Sequence, residues 1–261
     1  LEVIQMQKVI LGKTLSPKTS ELVSGMESEF RLPVKYYLAS EHPNKSDSVF
    51  GSVDPYGVDG FYKVWSRVDI TGELFETNLL HELTHIAQVE RGYPIVCNKD
   101  SADFHSSDRG FVKNLGAHLG STVLDIDVQR QLLEHGYANC EFAEKNATRL
   151  IAASSHDYTR LNDPLNYAIL VVDLLMTASL VSAATRDALC TAYGRYISVV
   201  ADVRLLYDKI QQLGTSTPEK AAASLGAIID HLSLWPYYLI YLDGNRIRTH
   251  GEYTAFLREC T

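Results

Sequence analysis

The residues best suited by type and spacing to do chemistry are His81, Glu82 and His85, in the run His81-Glu82-Leu83-Thr84-His85. Residues four apart on a helix stack on one face, about one turn from each other, so both imidazoles can serve one ion. Zinc takes nitrogen ligands at about 2.0–2.1 Å, a distance such a pair can meet together, and one zinc ion is the expected cofactor. Glu82 follows about 100° further round the helix, near enough to reach a water on the ion and too far round to be a ligand. Zinc brings the pKa of such a water to about 7, so a neighbouring carboxylate can take its proton as attack begins. These are the roles that the H-E-x-x-H pattern supplies, with Glu82 as the expected catalytic base.

Catalytic zinc typically has three protein ligands, and the acids on the helix after the motif are the candidates for the third. Asp125 shares a helical face with Val128 and Leu132 and should point inward, where an unpaired carboxylate is costly; it is the favoured third ligand. Asp127 and Glu134, with Arg130 and Gln131 between them, read as solvated surface acids and stand as alternatives, as do the more distant Glu141 and Glu144. Asp125 equally suits a helix-capping role at Asp125-Ile126-Asp127. Candidates to stabilise an oxyanion are His156, Tyr158, His105 and Tyr137, each against the plainer reading of a surface polar residue. His118 and His135 flank the third-ligand region as supporting or exposed histidines. Ser107, Ser121 and the cysteines have no neighbours that suggest a nucleophile.

A helix over about Phe75 to Arg91 carries the motif and stops at Gly92, with Pro94 preventing continuation. Leu79, Leu83 and Ile86 anchor its apolar side. Before it, Tyr62, Val64, Val68 and Ile70 alternate with Lys63, Trp65, Arg67 and Asp69, the period of a half-buried strand. Pro55, Gly57 and Gly60 punctuate the turn preceding that strand. Further strands are expected at Val3–Leu11, Val34–Leu38 and Val49–Val53, and Ser16-Pro17 opens a helix running to about Ser28. Gly110–Gly120 resists assignment, Ser121–His135 is a helix, and the chain from Glu141 onward reads as helices only. These are Glu141–Ala153, Pro164–Ser182, Thr185–Leu213, Pro218–Leu232 and Pro236–Leu257. Trp235-Pro236-Tyr237-Tyr238 reads as an aromatic hinge between the last two. The fold class is α+β with a small mixed sheet on the N-terminal side, and the change of character falls near residue 140.

In these features the chain resembles the zincin metallopeptidases over roughly residues 34 to 136: an upstream edge strand, here Tyr62–Ile70, then the HELTH helix, then a helix able to supply a third ligand. The resemblance implies a zincin-like catalytic part over 1–140, a helical part over 141–261 that completes the cleft, and peptide-bond hydrolysis of a peptide or protein substrate. It also implies that the edge strand aligns the substrate backbone by strand addition. Metzincins continue the motif with a glycine and a third histidine, where this chain has Gln88 and Arg91. The asparagine-glutamate stretch of gluzincins and the glycine-threonine signature of aspzincins are also missing, so no subfamily is assigned. The competing readings are a zincin-like binding or regulatory protein with a structural or occluded metal, and a helical interaction module carrying the motif by chance.

Composition narrows the partners. The 261 residues are 46% hydrophobic and 21% charged, with a formal net charge of −8 and no basic run, which argues against nucleic acid or anionic membrane. The longest apolar stretch, Ala168–Val181, is broken by Asp173, Thr177 and Ser179 and falls short of the roughly 20 residues that span a bilayer, so a soluble chain is expected. The first residue is Leu1, which reads as the start after a removed or omitted segment, compatible with a signal peptide or lipoprotein leader and a secreted or periplasmic place. Cys97, Cys140, Cys190 and Cys260 lack a C-x-x-C pair, which argues against a cysteine zinc site; free buried thiols are expected over two disulfides. Asn44-Lys45-Ser46 and Asn146-Ala147-Thr148 match a glycosylation triplet too common to carry weight.

Overall fold

A computed structural model describes residues 7–43, 51–99, 108–137, 141–155, 158 and 161–260, the side chains of 108–111, 141, 142 and 260 excepted. The fold is a mixture of α and β structure, mostly helical, and it forms two compact units. The first comprises Leu1–Arg91 with Gln131–Ala138, the second Gly92–Arg130 with Asn139–Thr261.

In the first unit a two-stranded hairpin, β1 (Val9–Ile10) and β2 (Lys13–Thr14), turns at Leu11-Gly12, so the strand expected over Val3–Leu11 is shorter at its end; its residues 3–6 lie outside the described residues. Helix α1 (Pro17–Glu29) starts where Ser16-Pro17 predicts, with Ser16 Oγ accepting from the Thr19 backbone N–H at 3.3 Å. Strands β3 (Val34–Leu38), β4 (Gly51–Asp54) and β5 (Tyr62–Ser66) form a sheet in the order β3-β5-β4, with β3 parallel and β4 antiparallel to β5. The expectation that Tyr62–Ile70 is an edge strand is therefore corrected. The strand ends at Ser66 and is central, with Tyr62, Val64, Trp65 and Ser66 all buried because sheet neighbours flank it on both sides. The antiparallel edge strand among those described is β4.

Helix α2 (Gly72–Glu90) buries Phe75, Leu79, Leu83 and Ile86 on one stripe, each burial worth about 1.5–3 kcal/mol. Carboxylates secure it near both ends. Glu76 accepts from the Ser16 backbone N–H at 2.6 Å, from Ser16 Oγ at 2.7 Å and from Thr19 Oγ1. Glu90 accepts from the Arg31 backbone N–H at 2.9 Å and from the Tyr62 hydroxyl. Burial works to raise both carboxyls, and the hydrogen bonds outweigh it and hold them below their ordinary range.

In the second unit, β6 (Ile95–Asn98) is followed by α3 (Asp108–Glu134), one continuous helix through the stretch Gly110–Gly120, whose residues from Gln131 on are counted with the first unit. Gly116 sits against Tyr238 and Asn98, where a Cβ would come within 2.8 Å of Asn98 Oδ1; the glycine serves close packing and does not interrupt the helix. Helices α4 (Glu141–Ala153), α5 (Pro164–Leu180) and α8 (Pro218–His231) match their sequence signals closely. The single helix expected over Thr185–Leu213 is two, α6 (Ala183–Ala192) and α7 (Ile197–Leu213). Between them Tyr193 is fully buried, and its hydroxyl donates to the Leu150 carbonyl at 3.1 Å.

The helix expected over Pro236–Leu257 is a second correction. The chain forms a hairpin of β7 (Tyr238–Leu242) and β8 (Asn245–Ile247) around Asp243-Gly244, both at positive φ, and only then α9 (His250–Cys260). Strand β7 also pairs antiparallel with β6, so the C-terminal half is not helices alone. No helix among the described residues is long and apolar enough to cross a membrane.

Candidate metal centre

One face of α2 carries Asn78, His81, Glu82, His85 and Gln88, at steps of three and four residues. The opposite stripe fills the core, so the polar row is fixed in rotation by the apolar one. His81 Nε2 and His85 Nε2 lie 3.1 Å apart, with the rings at 81° to each other. Two nitrogens bound at zinc distance to a tetrahedral ion stand about 3.3 Å apart, so the pair is already spaced for a shared ion. Gln88 Oε1 lies 3.0 Å from His85 Nδ1. An amide oxygen only accepts, so the proton is on Nδ1 and the Nε2 lone pair turns toward His81. Gln88 is 1% exposed, which keeps that orientation rigid.

Glu82 is 7% exposed. Its carboxylate lies where β4 crosses the helix: a Cβ on Gly51 would stand 2.8 Å from Glu82 Oε1 and closer still to Asn78 Nδ2. Asn78 Nδ2 in turn donates 3.2 Å to Ser66 Oγ, and Ser66 is the residue opposite Gly51 in the sheet. Gly51, Asn78 and Gln88 were not among the sequence candidates for roles at the site. The spacing of Asn78 and Gln88 on the HELTH face was a usable signal; nothing local marks Gly51.

Asp125 lies half-buried on α3. Asp127 is not the solvated acid the sequence suggests. It is fully buried, accepting from Arg130 Nη2 at 2.6 Å and from the Tyr93 hydroxyl at 3.1 Å. Glu134 is exposed, while Glu144 accepts from the Ser182 backbone N–H and the Thr185 hydroxyl, which commits it to the start of α6. The side chain of Glu141 lies outside the described residues, as do His105 and His156. Tyr137 is buried, with its hydroxyl 2.7 Å from Thr19 Oγ1; Tyr158 lies 3.0 Å from the Tyr193 hydroxyl. His118 Nδ1 is 2.5 Å from Asp173 Oδ1, a hydrogen bond that raises its pKa against the opposing effect of burial. His135 is exposed beside the groove between α1 and α2. Cys97 and Cys190 are free thiols; Cys140 and the Cys260 side chain lie outside the described residues.

No protein-family model, no curated protein and no solved structure matches the chain. The functional reading therefore stands on the chemistry of the site.

Proposed function

We propose that this chain is a zinc-dependent hydrolase of peptide bonds with a zincin-like part over residues 1–140, in which His81, His85 and Asp125 are the metal ligands and Glu82 is the general base. The observation that carries the reading is the 3.1 Å separation of the two Nε2 atoms, next in sequence to a carboxylate that is 7% exposed. Two imidazoles and one carboxylate are a donor set that zinc takes when a position is left open for a reactant. The first unit offers the two imidazoles, and Asp125 is the proposed third ligand.

When bound, zinc supplies a Lewis acid that polarises a carbonyl and acidifies water. The remaining work falls to the chain's own side chains. Glu82 takes the proton of the attacking water at a carboxylate oxygen and returns it to the departing amine nitrogen. Its low exposure keeps bulk water from competing for that proton. Gln88 holds His85 in the tautomer that presents Nε2. Strand β4 offers main-chain donors and acceptors to an extended peptide, and its Gly51 end lies at the Glu82 carboxylate.

The test is cleavage of a peptide library by the wild type and by Glu82→Gln, with zinc content measured for both. Both proteins should carry zinc and only the wild type should cleave. Equal cleavage by the two would remove Glu82 from its role. A zinc-loaded wild type that cleaves nothing would favour a metal-binding regulatory protein instead.

A further inference from the structure

Strand β4 runs from Gly51, beside the Glu82 carboxylate, to Asp54, and residues 55–61 then return the chain to β5. This connection is held down at several points. Gly57 is buried, at φ +62°, and a Cβ there would collide with Leu32 Cδ1 and stand 3.2 Å from the Tyr62 ring. The Gly60 backbone N–H donates to the Gly57 carbonyl at 2.9 Å, and the Tyr56 backbone N–H donates to Asp54 Oδ1 at 3.2 Å. Asp59 pairs with Lys63. On either side of the anchored glycine, Tyr56 is 56% exposed and Val58 83% exposed. No other large apolar side chain among the described residues is as exposed as Val58. Single exposed apolar residues are ordinary on a protein surface. A pair on one anchored turn, at the end of an edge strand, is a small apolar platform.

An extended peptide paired along β4 advances about 3.3 Å per residue, as the strand itself does. Tyr56 is five positions beyond Gly51 (56 − 51 = 5), so about 17 Å of extended chain separates the Gly51 end from the platform. A substrate residue about five positions from the cleaved bond therefore arrives at Tyr56 and Val58. At that distance the platform touches no reacting atom, so it adds binding to long substrates alone. We infer that Tyr56 and Val58 form a remote apolar subsite. It selects extended polypeptides that carry a large apolar residue about five positions from the cleaved bond, over short peptides. The inference rests on the reading of this chain as a zinc peptidase with β4 as the strand that receives substrate.

The experiment compares the wild type with the double variant Tyr56→Ser, Val58→Ser on one cleaved library peptide made in short and long forms. The short form reaches about three residues either side of the cleaved bond; the long forms reach about six toward one terminus or the other. Each long form carries leucine or serine at about the fifth position. The wild type should cleave one leucine-bearing long form about 10-fold better in kcat/KM than the short form, with the gain in KM. The matching serine form should lose that gain. The double variant should treat all forms alike, at the wild-type value for the short form and with unchanged zinc content. A wild type with no preference for a leucine-bearing long form overturns the inference, and so does a double variant that keeps the preference. A double variant that also loses the short form overturns it too, because the turn would then act on the fold or on the site itself. Each of these results leaves the peptidase reading standing, since the wild type cleaves throughout. A zinc-loaded wild type that cleaves no form, or no better than Glu82→Gln, removes that reading and the inference together.

Discussion

Gly51→Ala is a small change whose consequence follows from distances. Gly51 lies opposite Ser66 in the β4–β5 register, and the added Cβ would stand 2.8 Å from Glu82 Oε1. Ordinary contact begins at 3.4 Å, so the carboxylate must yield by 3.4 − 2.8 = 0.6 Å, and Asn78 must yield as well. A displacement of this order at a catalytic group exceeds the tolerance of about 0.5 Å and approaches the 1 Å that lowers rate about 100-fold. The expected loss in kcat is about 10- to 100-fold, or roughly 1.4–2.7 kcal/mol of barrier. Stability should move by less than about 1 kcal/mol, because the atoms that give way are side-chain ends and Gly→Ala restricts the unfolded chain. Zinc should be retained, since the atoms met first belong to Asn78 and Glu82 and not to an imidazole. The assay is kcat on a cleaved library peptide, with zinc content and thermal midpoint measured on the same preparation. Activity within about twofold of wild type would refute the placement of Glu82 against β4. Activity and zinc lost together would refute the division of labour between the glutamate and the histidines.

Gln88→Leu removes the acceptor at His85 Nδ1 and should weaken zinc about 10- to 100-fold in a chelator competition, with the fold retained by circular dichroism. Asp127→Asn removes the buried charge that Arg130 and Tyr93 both donate to and turns one acceptor oxygen into a donor; it should lower stability by about 1–3 kcal/mol in denaturant titration while leaving zinc content unchanged. Glu76 is held below its ordinary value, so its stabilising effect is present above the unfolded-state pKa of about 4.5 and is lost as pH falls through the lower folded value. Thermal midpoints of the wild type should accordingly drop below about pH 4.5 more steeply than those of Glu76→Gln, and parallel curves would remove Glu76 from this role.

What the sequence disclosed tracks how local the signal is. The HELTH helix, the Ser16 cap and the proline-led starts of α5 and α8 depend on residues within one or two turns of each other, and all of them form as the pattern predicts. The break between α6 and α7 is different. Apolar periodicity continues across it, and the chain turns because Tyr193 is drawn to Leu150, 43 residues away. The C-terminal hairpin carried its own signal, Asp243-Gly244 directly after the run Tyr237-Tyr238-Leu239-Ile240-Tyr241-Leu242, which Pro236 masked by suggesting a helix start. Within the site, the polar stripe on α2 is legible from spacing alone. The burial of Asp127 depends on Tyr93, 34 positions earlier, and the need for glycine at 51 depends on how closely a strand approaches a helix.

The most direct test of the central claim is a crystal structure of the zinc-loaded protein with anomalous data collected at the zinc edge. A single anomalous peak is predicted, with His81 Nε2 and His85 Nε2 at about 2.0–2.1 Å and an Asp125 oxygen at about 2.0–2.2 Å. No peak at the histidine pair, or a peak whose ligands exclude both imidazoles, would contradict the account.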